Sequence, residues 1–297
     1  MTEIKVSILI LTKNREKLLT KNLDSLVKQT FKPYEVVIVN NSSIDNTEIV
    51  LSTYKKRLPI KSFKTDISGF PQLYNFGIEK CGGDLICFLD DDCIAKKDWL
   101  EQCILAYQKY PDSIIQGNTL SIPLENIYAQ IMGDHYKNWI KSNTLKSIQL
   151  KVCDNKNLAV SKNIFKRFGT FSTLQKIGSE DLEFGARLRK KGIAIIYEPK
   201  IVAWHQERTT FKDFIVQHLR IAKSEAVYDS INGRQEKIGL FSGRKAYLNL
   251  FSAFKREFFY FKRLMIKELL LLPIIYLCLS LIRIYFYSEV SIKNKRE

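Results

Sequence analysis

Three stretches of this chain are largely apolar runs that stop abruptly at polar residues. Residues 6–11 run into Thr12, Lys13, Asn14 and Arg15; residues 35–39 run into Asn40, Asn41, Ser42, Ser43 and Asp45; and Leu85–Leu89 runs into Asp90, Asp91 and Asp92. Runs of this length, rich in Ile, Leu and Val and lacking in-out alternation, read as strands covered on both faces. Between the first two lies a segment with Leu19, Leu23, Leu26 and Val27 at helical spacing, and a second helix is expected up to about residue 54. The order strand, helix, strand, helix predicts an α/β chain with a single open, mostly parallel sheet flanked by helices. Right-handed crossovers then bring the three polar strand ends to one rim of the sheet, the edge where open α/β sheets bind ligands.

The acidic end is the strongest of the three signals. Adjacent carboxylates repel one another, and within the next few residues only Lys96 and Lys97 could offset them. A divalent cation shared with phosphate oxygens would do so, because Mg²⁺ and Mn²⁺ favour one or two carboxylates plus phosphates over an all-protein cage. The plainer reading is a helix cap, with a helix starting near Ala95. One aspartate would suffice for that.

Further along, residues 60–63 form a weak third strand, and a helix after Gly69 leads into Leu85. Residues 99–110 are expected to be helical and 113–120 to form a strand. Residues 123–149 are less periodic and carry Tyr128, His135, Tyr136 and Trp139; residues 150–161 read as a strand broken by a polar bulge. In residues 178–192, Ser179, Glu180 and Asp181 open a helix that Arg189, Lys190 and Lys191 close, with Gly192 as its stop. The helix dipole is expected to keep both acids ionised. Residues 193–197 and 201–204 read as two short strands, the second ending at His205, and residues 211–228 as a helix.

The clusters in this order resemble the family 2 glycosyltransferases of the GT-A fold, over roughly residues 4–225. The pieces are VSILILTKNR, VVIVNNSSIDNT, the Gly69, Asn75, Gly77 spacing, GGDLICFLDDD, EDLEFGARLRKKG and AWH. Such a resemblance implies transfer of a sugar from a nucleotide-diphosphate sugar to an acceptor hydroxyl, with inversion at the anomeric carbon. Position by position it implies that Thr12, Asn14, Arg15, Asn40 and Asp45 lie at the nucleoside end, with Gly69, Asn75, Asp90 and Asp91 completing the nucleotide-sugar site. Asp90 and Asp92 match the DxD pair that approaches a bound Mn²⁺ or Mg²⁺, and His205 matches a further metal ligand. Asp181 matches the catalytic base, with Glu180 beside it. Asn157, Trp204, Gln217 and Arg220 fall in the acceptor half. Asn40 stands where the family usually has an aspartate, and Tyr74 where many members have arginine. Residues 217–221, QHLRI, resemble the QxxRW motif without its tryptophan, which implies addition of single sugars.

The implied domains are residues 1–239, divided near residue 120 into donor and acceptor halves, and a basic, aromatic-rich appendage, residues 240–297. The apolar run 269–282 falls short of the roughly 20 residues a spanning helix needs, and Pro273 and Arg283 weaken it. Lys262, Arg263 and Lys267 precede the run, and Lys293, Lys295 and Arg296 follow it. Three readings fit: a helix lying in the membrane interface, a true span, or a subunit contact. Either of the first two suits the cytoplasmic side of a membrane and a glycan or lipid-linked acceptor.

The excess of 47 Lys and Arg over 31 Asp and Glu, a net charge of +16, calls for anionic partners. It concentrates beside the apolar tail, which favours an anionic membrane surface over nucleic acid. No GxGxxG follows Leu11, which excludes a dinucleotide oxidoreductase. TKNREK also lacks the glycines of a nucleotidyltransferase phosphate loop, although that class and a non-catalytic family member remain the alternatives. Six cysteines without CxxC spacing read as reduced core thiols in a reducing compartment.

Overall fold

The computed structural model describes residues 4–123, 126–173 and 180–231. Strand β1 (Val6–Thr12) leads through helix α1 (Glu16–Val27) to β2 (Glu35–Asn41), then α2 (Thr47–Tyr54) and β3 (Ile60–Thr65). Helix α3 (Phe70–Lys80) brings the chain back to β4 (Leu85–Leu89) at the centre of the sheet. After the aspartates come β5 (Cys93–Ala95), α4 (Trp99–Lys109), β6 (Ile114–Ser121) and α5 (Ile127–Asn143). The short strands β7 (Thr144–Lys146) and β8 (Gln149–Leu150) precede β9 (Asn157–Ser161), α6 (Lys162–Phe168), α7 (Glu180–Lys190), β10 (Ile195–His205) and α8 (Phe211–Ile231).

The sheet has the order β3-β2-β1-β4-β9-β6-β10-β8-β7, with β5 added to β10. Strands β1 to β4, β6 and β10 run the same way, while β9 runs against both of its neighbours. The expected open, mostly parallel sheet is therefore present, with an antiparallel strand at the join of its halves. Alternate residues of the apolar runs feed two separate cores. Val6, Ile8 and Ile10 pack with α1 and α4 on one face, whereas Leu9, Val37, Val39 and Phe88 pack with α3, α6 and α7 on the other. Burial on both faces is why these strands show no polar alternation.

Four local expectations are corrected. No helix starts near Ala95: residues 93–95 form β5, which pairs antiparallel with residues 203–205, so the aspartates cap nothing. Residues 123–149, read as less periodic, contain the 17-residue helix α5, capped by the Asn126 side chain, which accepts from the amides of Tyr128 and Ala129. The two strands expected between residues 193 and 204 are one strand, β10, carried past an irregularity between Glu198 and Val202 by pairing with β6. Residues 150–161 form the end of β8, a loop, and β9.

By packing, the chain divides into residues 1–176 with 180–207, and residues 177–179 with 208–297. The first unit holds the whole sheet. The second contains α8, whose Phe214 ring lies 4.1 Å from that of His218. The expected boundary at residue 239 and the appendage beyond it lie outside the described residues. Cys81, Cys87, Cys93, Cys103 and Cys153 are free and buried, as expected of core thiols; Cys278 is outside the described residues.

Candidate active site

Strand β4 ends in a tight turn through Asp90, Asp91 and Asp92, and α1 is its template. Asn22, fully buried on the inner face of α1, donates from Nδ2 to the carbonyl oxygens of Asp90 (2.9 Å) and Cys93 (2.8 Å). Ser25 of α1 continues the contact, its Oγ accepting from the Ala95 amide (3.0 Å), and Gln29, just past the end of α1, bonds Lys96 and Leu100. The acidic turn is thus held from behind by a helix that begins 74 residues before Asp90 in the chain.

The charges of the turn are offset from far away in sequence. Arg15 Nη1 bonds Asp91 Oδ1 at 2.7 Å and Asp92 Oδ2 at 2.9 Å. This corrects the expectation of Lys96 and Lys97 as neutralisers, since Lys96 pairs with Asp98 and Lys97 is exposed. His205, at the end of β10, places Nε2 3.3 Å from Asp92 Oδ1 and Nδ1 2.9 Å from Glu207 Oε1, while Ser121 donates to the same Glu207 oxygen. Burial disfavours a charged imidazole there, but Asp92 and Glu207 outweigh it and raise the His205 pKa to about 10. As a metal ligand the ring would first have to give up that proton. Tyr74 donates its hydroxyl to Asp90 Oδ1 (3.2 Å), and burial with the charge of Asp92 pushes Asp90 to about 7.

A second acidic pair, Glu180 and Asp181, opens α7. Asp181 accepts from the amides of Leu182 (2.8 Å) and Asn155 (3.3 Å). The dipole was expected to hold both acids ionised; burial and neighbouring carboxylates raise both, which leaves Asp181 ionised at neutral pH and Glu180 largely protonated. Burial and Asp181 push Glu180 to about 8, and burial and Asp154 push Asp181 to about 6. The two acidic groups are neighbours: the charge of Asp90 raises Glu180, and both acids of the pair act on Tyr74. Residues 154–156 join them, because Asn155 bonds Asp181 and the Lys156 carbonyl accepts from the Asp90 amide (3.3 Å).

Several expected contact residues turn inward. Asn40 is fully buried, donating to Glu48 and accepting from the Ser43 amide. Asn75 spends its amide on both backbone groups of Phe171, and Asn157 on Trp99, Asn118 and Ile201. Asn157 is 1 % exposed, so it does not face an acceptor. Asn14, with a left-handed φ of 53°, ties the first rim loop to the second: its amide donates to Ser43 Oγ and its Oδ1 accepts from the Ile44 amide. Asp45 accepts from the amides of Glu16 and Thr47, which fixes the same junction. Thr12 lies beside Asp91, whose pKa burial raises against the opposing effects of Arg15 and Thr12. Gly69, at φ 97°, starts α3 in a backbone conformation that side chains rarely adopt. Trp204 sits in β10 between Ile94 and Leu120, and Gln217 and Arg220 belong to the second unit. Missed by sequence reasoning were Asn22, Asp154, Asn155, Lys156 and Glu207. A polar residue on the apolar face of α1 and the run of polar residues in CDNKN were the available signals.

Among the described residues, no three His, Cys, Asp or Glu side chains converge to enclose a metal by themselves. The donor set nonetheless suits a shared ion: Asp90 and Asp92 are hard oxygen donors on one turn, crowded enough to raise the pKa of Asp90. One or two carboxylates completed by phosphate oxygens is the usual arrangement for Mg²⁺.

The glycosyl transferase family 2 model matches residues 7–169. The chain belongs to glycosyl transferase family 2. Among relatives, the chondroitin synthase of Pasteurella multocida is 27 % identical over 239 residues, which is 69 % of this chain and 25 % of that one. An uncharacterised glycosyltransferase of Haemophilus influenzae is 24 % identical over 67 % of this chain and 64 % of its own length. This chain therefore spans a quarter and just under two thirds of those proteins. The mannosyltransferase PcManGT of Pyrobaculum calidifontis, solved with GDP-Man and Mn²⁺, superposes with a TM-score of 0.66 at 16 % identity, covering 99 % of this chain and 88 % of that one. TarS 1-349 of S. aureus in complex with UDP-GlcNAc gives a TM-score of 0.55 at 14 % identity, over 99 % and 92 % of the two chains. The family 2 chain has the GT-A arrangement of a mixed, mostly parallel sheet flanked by helices.

Proposed function

We propose that this family 2 chain is an inverting glycosyltransferase that moves a sugar from a nucleotide-diphosphate donor to an acceptor hydroxyl. The observation that carries the reading is the pairing on one sheet edge of two acidic groups with different tasks available to them. Asp90 and Asp92 would hold a Mn²⁺ or Mg²⁺ ion together with the donor diphosphate, and that ion would stabilise the charge developing on the departing phosphate. Asp181, with a pKa near 6, is ionised at neutral pH yet basic enough to accept the proton of an incoming hydroxyl. Inversion in a single displacement needs one base and no enzyme nucleophile. Arg15 keeps Asp91 and Asp92 oriented, and Asn22 fixes the turn that carries them.

The acceptor is a growing glycan or a lipid-linked saccharide, presented at an anionic membrane surface that residues 240–297 would meet. Among the described residues, no helix is long and apolar enough to cross a membrane. Phosphate-rich donors and acidic lipid surfaces both suit a net charge of +16. The reading is tested by incubating the purified protein with Mn²⁺, an α-linked sugar nucleotide and a lipid-linked acceptor, then reading the anomeric coupling of the product by NMR. A β-linked product is expected. An α-linked product would require a retaining mechanism and remove Asp181 from its role.

A further inference from the structure

Residues 154–156 form the bridge between the acidic turn and the base, and they carry an ion pair that the proposed reaction does not use. Lys156 Nζ lies 2.6 Å from Asp154 Oδ2, and the Lys156 amide bonds the other oxygen of the same carboxylate at 3.0 Å. The ammonium sits over the Tyr136 ring at 5.4 Å, and Tyr136 stacks on Trp139. Its position is therefore fixed from two sides, while 29 % of the side chain is open. An ammonium has three protons, and among the described residues Asp154 takes one. The backbone on either side of the pair is bonded to Asp181 and to Asp90. On the transferase reading, on which this inference rests, the space between those two carboxylates belongs to the sugar being moved.

We propose that Lys156 and Asp154 together read hydroxyl groups of the transferred sugar, and that this sugar is uncharged. A lysine paired with a carboxylate offers a donor and an acceptor side by side, which matches neighbouring hydroxyls, each of which can both give and take a hydrogen bond. The charge balance argues against a sugar acid. Among the described residues, the carboxylates of the turn, Asp181, Asp154 and Glu207 outnumber the cations Arg15, Lys156 and His205 paired with them, and Arg15 and His205 are already spent on the turn. Bringing in another carboxylate would add to an existing excess of negative charge.

The test uses the full-length protein with Mn²⁺ and four donors: UDP-glucose, UDP-N-acetylglucosamine, UDP-glucuronate and GDP-mannose. It reads kcat/KM for release of the nucleotide diphosphate and, separately, binding of UDP and GDP by calorimetry. An uncharged sugar is expected to be preferred. Lys156→Met and Asp154→Asn should each lower kcat/KM for that sugar by about 30-fold or more and flatten the ranking of donors, with UDP or GDP binding within about twofold of wild type. Lys156→Arg, which keeps the cation, should preserve the ranking and guards against a fold defect in the methionine variant. A preference for glucuronate, or a ranking that survives Lys156→Met in an active enzyme, would overturn this inference alone. Loss of UDP and GDP binding in Lys156→Met would make the lysine a phosphate contact and overturn it as well. A wild-type protein inert toward every donor would overturn the transferase reading and this inference with it.

Discussion

At Asp181, burial and the charge of Asp154 set a pKa of about 6, which fixes how the protein should respond to pH. The proposed base works only when ionised, so kcat/KM should fall tenfold per pH unit below about 6 and level off above it. Asp154→Asn removes a neighbouring negative charge and should move that limb to lower pH; a pH profile of nucleotide diphosphate release checks both statements. Glu180 gives a stability counterpart. Its carboxyl binds a proton more tightly when folded, raised from 4.5 to about 8, so its contribution is complete below 4.5 and is lost as pH rises through 8. Glu180→Gln should therefore stabilise the protein at pH 8 by about 1–3 kcal/mol, read as a higher Tm, with little change at pH 4. Of the residues named from sequence, the aspartates and His205 were legible because they follow apolar runs directly. Arg15 was seen as polar, but its partnership with Asp91 and Asp92 spans 76 and 77 positions and leaves no local trace.

Among the elements, α1 does more than cover the sheet, because Asn22 and Ser25 on one face, with Gln29 just past its end, hold the acidic turn, β5 and the residues after it. Asn22→Leu would remove the side-chain donor from the Asp90 and Cys93 carbonyl oxygens, of which the first keeps the Cys93 amide, at a cost of about 1–3 kcal/mol, measurable by urea unfolding. The same variant should weaken Mn²⁺-dependent nucleotide binding more than Ser25→Ala does. Gly77 in α3 tests the close approach of helix to sheet, since an added Cβ would run into Leu9 and Val39. Gly77→Ala should cost about 1–3 kcal/mol without altering the pH profile. Strands β1, β2 and β4 were readable because two-sided burial makes them predominantly apolar. β5 was not, for three residues followed by two lysines carry no periodic signal and exist as a strand only through pairing with β10. α5 escaped notice because Tyr, His, Asp and Lys interrupt its apolar spacing, and its cap at Asn126 is a single residue.

Over the whole molecule, the order of elements was legible while the join between the two halves of the sheet was not. β9 enters antiparallel between β4 and β6, and the loop before it delivers Asp154, Asn155 and Lys156 to the rim. That placement depends on pairings across 42 to 76 residues, which no local pattern encodes. The account centres on a donor held at the Asp90–Asp92 turn with Asp181 as a separate base. Its most direct measurement follows Mn²⁺-dependent nucleotide diphosphate release and sugar-nucleotide binding together, in the wild type, Asp92→Ala and Asp181→Asn. The account predicts release and binding in the wild type, neither in Asp92→Ala, and binding without release in Asp181→Asn. Release by Asp181→Asn at the wild-type rate would contradict it.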